Sequence, residues 1–182
     1  FEGKGKTLFR YFKTKPILNG EKLDYEEGEV LYSGDGWKFL NGDRVTNYDR
    51  GEAVVVMGNI GYPIDLTQLK LQDDSALSNF VCRNLILECK IGDLEISASR
   101  EGLQYTNYTI KNINAKLEKA AKEIAEEITI HFSQCKTHWE AKELAAEMFR
   151  FDGKLYAVQA LCKKATWKGK PIGETHVSLR DV

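Results

Sequence analysis

The longest regular pattern of apolar and polar residues runs from residue 107 to about residue 134. Its apolar positions recur at steps of three and four, which places them on one face of a helix. They are Ile110, Ile113, Leu117, Ala120, Ile124 and Ile128. The opposite face is charged. The pattern predicts a long helix packed on a sheet, with a coiled coil as the alternative because the spacing is near-heptad.

A second, shorter helix is predicted from residue 137 to about residue 149. Thr137 and Glu140 have the spacing of a capping box, in which each side chain bonds a free amide at the helix start. The residues expected to face inward are Trp139, Leu144, Ala145 and Met148. A third helix is predicted at residues 73–81, with Leu77 and Phe80 as its apolar contacts.

Short apolar or alternating runs predict strands, and Gly-containing turns separate several of them. The predicted strands are residues 15–18, 29–33, 37–40, 53–57, 85–91, 94–99 and 154–162, and residues 8–12 are also strand-like. Residues 58–63 read as an irregular loop, and residues 165–172 as the start of a further element. The fold class is therefore α/β: a mixed sheet with the long and the shorter helix on one face. We expect a β-rich segment at residues 1–72 and a core at residues 73–182.

Composition limits the classes of function. The 182 residues are 42% hydrophobic and 29% charged, as in a soluble globular domain, and the net charge of −1 makes nucleic acid an unlikely partner. No apolar run approaches the roughly 20 residues that span a bilayer. No signal-peptide pattern opens the chain, and Phe1 in place of Met suggests a fragment of a longer protein.

Most chemical motifs are absent or incomplete. The four cysteines form no Cys-x-x-Cys pair, so reduced, buried thiols are expected, and the three dispersed histidines suggest no metal centre. Residues 3–7, Gly-Lys-Gly-Lys-Thr, resemble the end of a P-loop, but an aromatic, strand-like run follows where a helix is required. We interpret these residues as a basic chain end.

The segment with the clearest chemical potential is residues 94–104. Its strand-like first half leads to Arg100 and Glu101 in a turn eased by Gly102, directly before the long helix. Ligand sites in α/β proteins tend to lie where a strand ends and a helix begins. The simplest interpretation of an Arg-Glu pair in such a turn is a solvated ion pair that contributes less than about 1 kcal/mol.

A resemblance points further. Residues 99–104, Ser-Arg-Glu-Gly-Leu-Gln, resemble the Ser-Arg-Glu-x-Leu-Gln segment in the middle domain of Hsp90-type chaperones. The wider run at residues 91–113 resembles phage rIIA-like (rapid-lysis) proteins, in which a GHKL-type ATPase domain precedes such a transducer domain. The resemblance implies that Arg100 and Gln104 reach the γ-phosphate of ATP, and that Ser99 and Glu101 support the phosphate loop.

The same resemblance implies a fold like ribosomal protein S5 domain 2. It places ATP and Mg²⁺ mainly in a preceding domain of the same chain, so the fragment alone would not hydrolyse ATP. The full-length protein would be an ATPase linked to lysis control and prophage exclusion in the host-cell cytoplasm, with association to the inner membrane. A homodimer and an unidentified host or phage protein are the further partners it suggests.

Three alternatives remain open. One is a chaperone-like domain that binds client proteins, for which an exposed apolar patch would argue. Another is the transducer of a topoisomerase-like ATPase, with a basic groove involving Lys163, Lys164, Lys168 and Lys170. The third is a plain self-association domain.

Overall fold

A computed structural model describes residues 9–23, 28–41, 53–71, 75–81, 84–149, 155–162 and 165–172. The strands are β1 (Ile17–Leu18), β2 (Glu21–Lys22), β3 (Val30–Gly34), β4 (Trp37–Leu40), β5 (Val54–Met57), β6 (Ile60–Pro63), β7 (Leu85–Cys89), β8 (Thr166–Trp167) and β9 (Lys170–Pro171). The helices are α1 (Ser75–Val81), α2 (Asn107–Ser133) and α3 (His138–Met148), with 3₁₀ helices at Leu66–Gln68 and Tyr156–Cys162.

Five strands form one mixed sheet in the order β3-β4-β7-β5-β6, in which β5 and β7 run parallel and the other neighbours antiparallel. The sheet has two distinct faces because side chains alternate along each strand. The core face carries residues that are almost fully buried: Trp37, Phe39, Val55, Leu85 and Leu87. The register aligns Lys38, Ile86 and Val54 on the other face, and these three residues are only partly buried.

The long helix α2 covers the core face. Five of the six residues in the predicted stripe are completely buried, and only Ile110 is half-buried, so the predicted helix and its inward face are confirmed. Helix α1 covers the same face, since the rings of Phe80 and Phe39 stack with centroids 5.8 Å apart. The predicted apolar contacts of α1, Leu77 and Phe80, are both buried.

A side-chain hydrogen bond joins α2 to the β3–β4 hairpin. The indole Nε1 of Trp37 donates to Glu123 Oε2 at 2.6 Å. A Cβ at position 34 would collide with that indole, so Gly34 leaves the room that the tryptophan needs to reach the helix. The hairpin turn therefore sits against the middle of α2.

Thr137 caps α3 as predicted, whereas the Glu140 side chain reaches the amide of Lys136, one residue before the amide that a capping box uses. Glu140 N donates to Thr137 Oγ1 at 3.1 Å, and Glu140 Oε2 accepts a bond from Lys136 N at 2.8 Å. The prediction that Trp139 faces inward is wrong, because its side chain is 56% exposed. Helix α3 contacts α2, and its buried residues are Ala141 and Ala145.

Four predicted segments differ from the structure. Residues 154–162 were expected as a strand, but their described part contains the 3₁₀ helix Tyr156–Cys162. Residues 58–63 are not an irregular loop: a tight turn at residues 58–59 leads into β6, which pairs with β5. Residues 94–99 form only an isolated bridge between Ile96 and Leu103, and residues 9–11 form a turn.

The fold class is thus a mixed α/β arrangement with a five-stranded sheet, one long helix and one shorter helix. The division between residues 1–72 and 73–182 stays a prediction; the sheet combines β3 to β6 from the first part with β7 from the second. None of the helices in the described ranges combines the length and apolarity needed to cross a bilayer.

The thiols of Cys89 and Cys162 lie in the core and should react very slowly with alkylating reagents. Burial raises the pKa of Cys89 to about 11 and that of Cys162 to about 12. At about pH 8 roughly one Cys89 thiol in a thousand would be the reactive thiolate. We expect iodoacetamide to alkylate both at least about 100-fold more slowly in the native protein than in the denatured chain, as measured by peptide mass spectrometry.

The same shifts set an alkaline limit on stability. The folded state disfavours both thiolates, so ionisation in the unfolded chain, beginning near a pKa of about 8.5, favours unfolding. The stabilisation that comes from keeping the thiols neutral is complete below about pH 8.5. It is lost as the pH rises toward about 11. In the alkylation experiment, the half-buried Cys135 is the internal reference. Equal alkylation rates of Cys89 in the native and the denatured protein would contradict the burial of Cys89.

Candidate functional site

The predicted site residues lie in a short hairpin loop, residues 95–104, which we call the Arg100 loop. Its two arms are joined by Gln104 N donating to Glu95 O and Ser97 N donating to Gly102 O, both at 2.9 Å. The Ile96–Leu103 bridge lies between them. The tip is therefore residues 98–101, held at its base by backbone hydrogen bonds in place of the strand predicted from the sequence.

Arg100 occupies a strained position at this tip. Its amide donates to Ser97 O at 2.8 Å, which closes a turn, and its φ of 61° lies in the left-handed region. L-residues other than Gly and Asn rarely adopt that region, at a cost of roughly 1–2 kcal/mol. We expected Gly102 to ease the turn, but Gly102 does not have a positive φ, and Arg100 takes the left-handed conformation itself.

The Arg100 side chain is exposed, and in the described part of the chain its guanidinium makes no ion pair. Glu101 is exposed as well and is likewise not paired with Arg100 there. The simple interpretation of a surface Arg-Glu ion pair is therefore wrong for the described structure. Ser99 lies within the tip, with its Oγ 3.0 Å from Ser97 Oγ, and Ser97 Oγ also accepts a bond from Gly102 N at 3.3 Å.

Gln104 lies before the long helix, because α2 begins only at Asn107. It lies in the returning arm of the hairpin, opposite Glu95, with an exposed side chain. Arg100 and Gln104 thus share one loop without sharing a helical face.

The loop is fastened to the start of α2 by residues that the sequence analysis did not single out. Thr109 is completely buried, and its Oγ1 accepts a hydrogen bond from Glu95 N at 3.0 Å. Asn112 Nδ2 donates to Asp93 O at 2.8 Å, just before the loop. The available signal was the Thr106-x-x-Thr109 spacing at the helix start, where the Thr106 side chain caps the helix by accepting from Thr109 N.

A second fastening comes from the tyrosine that follows the loop. The hydroxyl of Tyr105 accepts a bond from Asp65 N at 2.6 Å, which ties the returning arm to the chain after β6. Burial is the main reason that the pKa of Tyr105 is raised, so the hydroxyl keeps its proton at neutral pH. The base of the Arg100 loop is therefore fixed to two different elements while its tip projects into solvent.

The residues named for the rival functions fall elsewhere. Lys168 and Lys170 lie at the β8–β9 turn, where the Lys168 ammonium sits 4.8 Å from the centre of the Trp167 ring. Lys163 and Lys164 lie outside the described residues, as does the P-loop-like segment at residues 3–7. The structure consequently leaves the proposed basic groove a prediction.

Comparisons with known proteins give no further assignment. No protein-family model matches the chain, and neither a curated protein nor a solved structure matches it.

Proposed function

We propose that this chain is the transducer domain of a phage rIIA-like GHKL ATPase. In this proposal, Arg100 contacts the γ-phosphate of ATP that is bound by a preceding domain. The observation that carries the proposal is an exposed arginine, in a strained backbone conformation, at the tip of a loop whose base is fixed. Strained residues persist where surrounding structure holds them, and they cluster at functional sites.

The chemistry fits an arginine in this position. Transfer of a γ-phosphoryl group spreads negative charge over its oxygens, and a cation held there lowers the barrier. Arginine stays charged at any physiological pH and offers a fork of N–H donors that matches phosphate. Ser99 shapes the tip, Gln104 offers a second polar contact from the returning arm, and Glu101 adds a carboxylate beside Arg100.

The loop also has a direct mechanical connection to the rest of the domain. Glu95 N bonds to the buried hydroxyl of Thr109 in the first turn of α2, and α2 runs the length of the core. A change at the loop caused by ATP or its hydrolysis would therefore act on the start of a 27-residue helix. We propose this helix as the route by which the nucleotide state reaches the remainder of the protein.

The other parts of the proposal rest on the sequence resemblance. The mixed sheet with its long helix would be of the S5 domain 2 type. ATP and Mg²⁺ would be held mainly by the preceding domain, and Mg²⁺ would neutralise charge on the phosphates. The assembly would act in the host-cell cytoplasm in association with the inner membrane, in lysis control and prophage exclusion, with a homodimer and an unidentified host or phage protein as partners.

The proposal predicts separate effects of Arg100 on function and on stability. In the full-length protein, Arg100→Ala should lower ATP turnover by at least about tenfold while nucleotide affinity stays largely unchanged, since the lost interaction acts on the transition state. Arg100→Gly should lower turnover equally but raise the free energy of unfolding by up to about 1 kcal/mol, because glycine adopts a positive φ without strain.

Steady-state ATPase assays, nucleotide titration and urea unfolding measure these three quantities. Lys122→Ala is the matched control, because it removes an exposed cation from α2 and should leave turnover unchanged. Turnover at the wild-type level in both Arg100 variants would reject the assigned role. A loss of turnover that tracks a loss of stability would show that Arg100 acts only through the fold.

A further inference from the structure

A separate cleft lies on the face of the sheet that α2 does not cover. One wall is the segment at residues 10–15, and the floor comes from β4, β5 and β7 with the turn that follows β7. Its volume is about 620 Å³, within the usual range for pockets that hold a small molecule. The Arg100 loop does not line it.

The wall is held against the sheet by close packing. The ring of Tyr11 lies directly on Gly61 of β6, where any Cβ would collide with it. The segment closes its own turn through Phe12 N donating to Phe9 O at 3.1 Å, and Lys15 Nζ donates to Arg10 O at 2.6 Å. The absence of a side chain at position 61 is what permits this arrangement.

The cleft has a strong excess of positive charge. Among the described residues, five cationic side chains line it and one carboxylate, Glu88, opposes them: the cations are Arg10, Lys13, Lys15, Lys38 and Lys90. Glu88 is already paired with Lys38 at 3.4 Å. If Arg10 is not counted and Lys38 is paired with Glu88, the cleft still has three more cations than carboxylates: Lys13, Lys15 and Lys90. The chain as a whole has a net charge of −1. Clustered like charge in a concave site attracts ions of the opposite sign.

The cleft is also apolar between these charges. Val56 and Ile86 lie on its floor, Phe12 on its wall, and Ile91 at its edge is 85% exposed. An inorganic anion would leave this surface in water, whereas an anion with an apolar body would cover it and gain roughly 25 cal/mol for each Å² buried. Charge and apolar surface together thus select for one chemical class.

We propose that this cleft binds a small organic anion, in which a phosphate, sulfonate or carboxylate group meets the lysines and a planar apolar body lies over Val56 and Ile86. The proposal is independent of the function assigned to Arg100.

The test uses 8-anilinonaphthalene-1-sulfonate, an aromatic sulfonate of this class, as a fluorescent probe. The folded chain should bind one equivalent, and the paired charge reversal Lys13→Glu with Lys90→Glu should weaken binding at least about tenfold, because both side chains are exposed and line the cleft. Gly61→Val should weaken binding as well by displacing Tyr11. Lys122→Glu, on α2 and away from the cleft, should bind the probe as the wild type does.

Competition identifies the parts of the ligand that matter. Adenosine monophosphate, which has a planar body and a phosphate, should displace the probe at a concentration at least about tenfold lower than adenosine or inorganic phosphate. Equal affinity of the double variant and the Lys122→Glu control would overturn the site. Displacement by inorganic phosphate at the same concentration as by the nucleotide would overturn the apolar half of the proposal, and equal displacement by adenosine the anionic half. Arg100→Ala should leave probe binding unchanged, which separates this result from the ATPase test.

Discussion

Leu117→Ala is expected to lower the free energy of unfolding by about 2–5 kcal/mol. Leu117 is completely buried in the middle of α2 and belongs to the single core formed with the sheet. Alanine favours a helix at least as well as leucine does, so the substitution leaves the helix intact and opens a cavity between helix and sheet. The loss therefore measures how much the contact between α2 and the sheet contributes to the free energy of unfolding.

Urea unfolding followed by circular dichroism measures the effect. The matched control is Glu118→Ala, one residue further along and exposed, which should change stability by no more than about 0.5 kcal/mol. The urea dependence of the unfolding free energy should be the same in all three proteins. A loss below about 1 kcal/mol in Leu117→Ala would mean that α2 does not pack on the sheet as described.

Thr109→Val is expected to cost about 1–3 kcal/mol and to loosen the Arg100 loop. Valine has almost the shape of threonine, so packing around the completely buried position is kept. The change removes the oxygen that accepts the hydrogen bond from Glu95 N. The hydrogen bond is partly buried, and the amide that loses its partner is the one that connects the loop to α2.

Amide hydrogen exchange gives the specific readout for this connection. The Glu95 amide should exchange at least about tenfold faster in Thr109→Val, which corresponds to about 1.4 kcal/mol of lost protection. Thr109→Ser keeps the hydroxyl and loses only a methyl group, so its Glu95 amide should remain protected even if global stability falls by about 1 kcal/mol. If both variants protect Glu95 equally, the hydroxyl does not hold the loop.

The two stability predictions bear on the proposed relay in different ways. Leu117 tests whether α2 is a rigid body on the sheet, and Thr109 tests whether the Arg100 loop moves with it. The function proposed for Arg100 predicts that Thr109→Val also reduces ATP turnover of the full-length protein, because an arginine on a loosened loop would spend less time at the phosphate. Thr109→Ser should retain most of the turnover.

Much of the helical structure followed from the sequence because its signals are local. The apolar spacing along α2 specifies one face of a helix whatever that face packs on, and Thr137 and Glu140 lie close enough in the chain to cap α3 by themselves. The strands β3 and β4 followed for the same reason, since a Gly-containing turn separates two short apolar runs.

The error at residues 154–162 has a local explanation. The buried residues Leu155, Val158 and Cys162 are spaced by three and four positions, which is a helical period, but the run also alternates well enough to pass for a strand. Packing of the 3₁₀ helix Tyr156–Cys162 against α1 and α2 favoured the helical alternative. Trp139 was misplaced because its size suggested burial, whereas the buried contacts of α3 are the small residues Ala141 and Ala145.

The candidate site was predicted only in part. The sequence marked Arg100 and its neighbours, but their spacing in the chain could not reveal that residues 97–102 close into a turn or that Arg100 takes a positive φ. The anchoring residue Thr109 lies 14 positions from its partner Glu95. The basic cleft is harder still to foresee, because its lining residues are drawn from four separate parts of the chain between residues 10 and 91.

By itself the sequence determined which segments form α2, α3 and the strands β3 and β4, and which face α2 buries, since those preferences act over a few neighbouring residues. Only the tertiary structure decided the strand order with its parallel β5–β7 pair. It also decided the hydrogen bond that holds the Arg100 loop to α2, and the clustering of lysines around the apolar floor of the cleft. Each of these depends on residues far apart in the chain, which are brought together by burial of the common core.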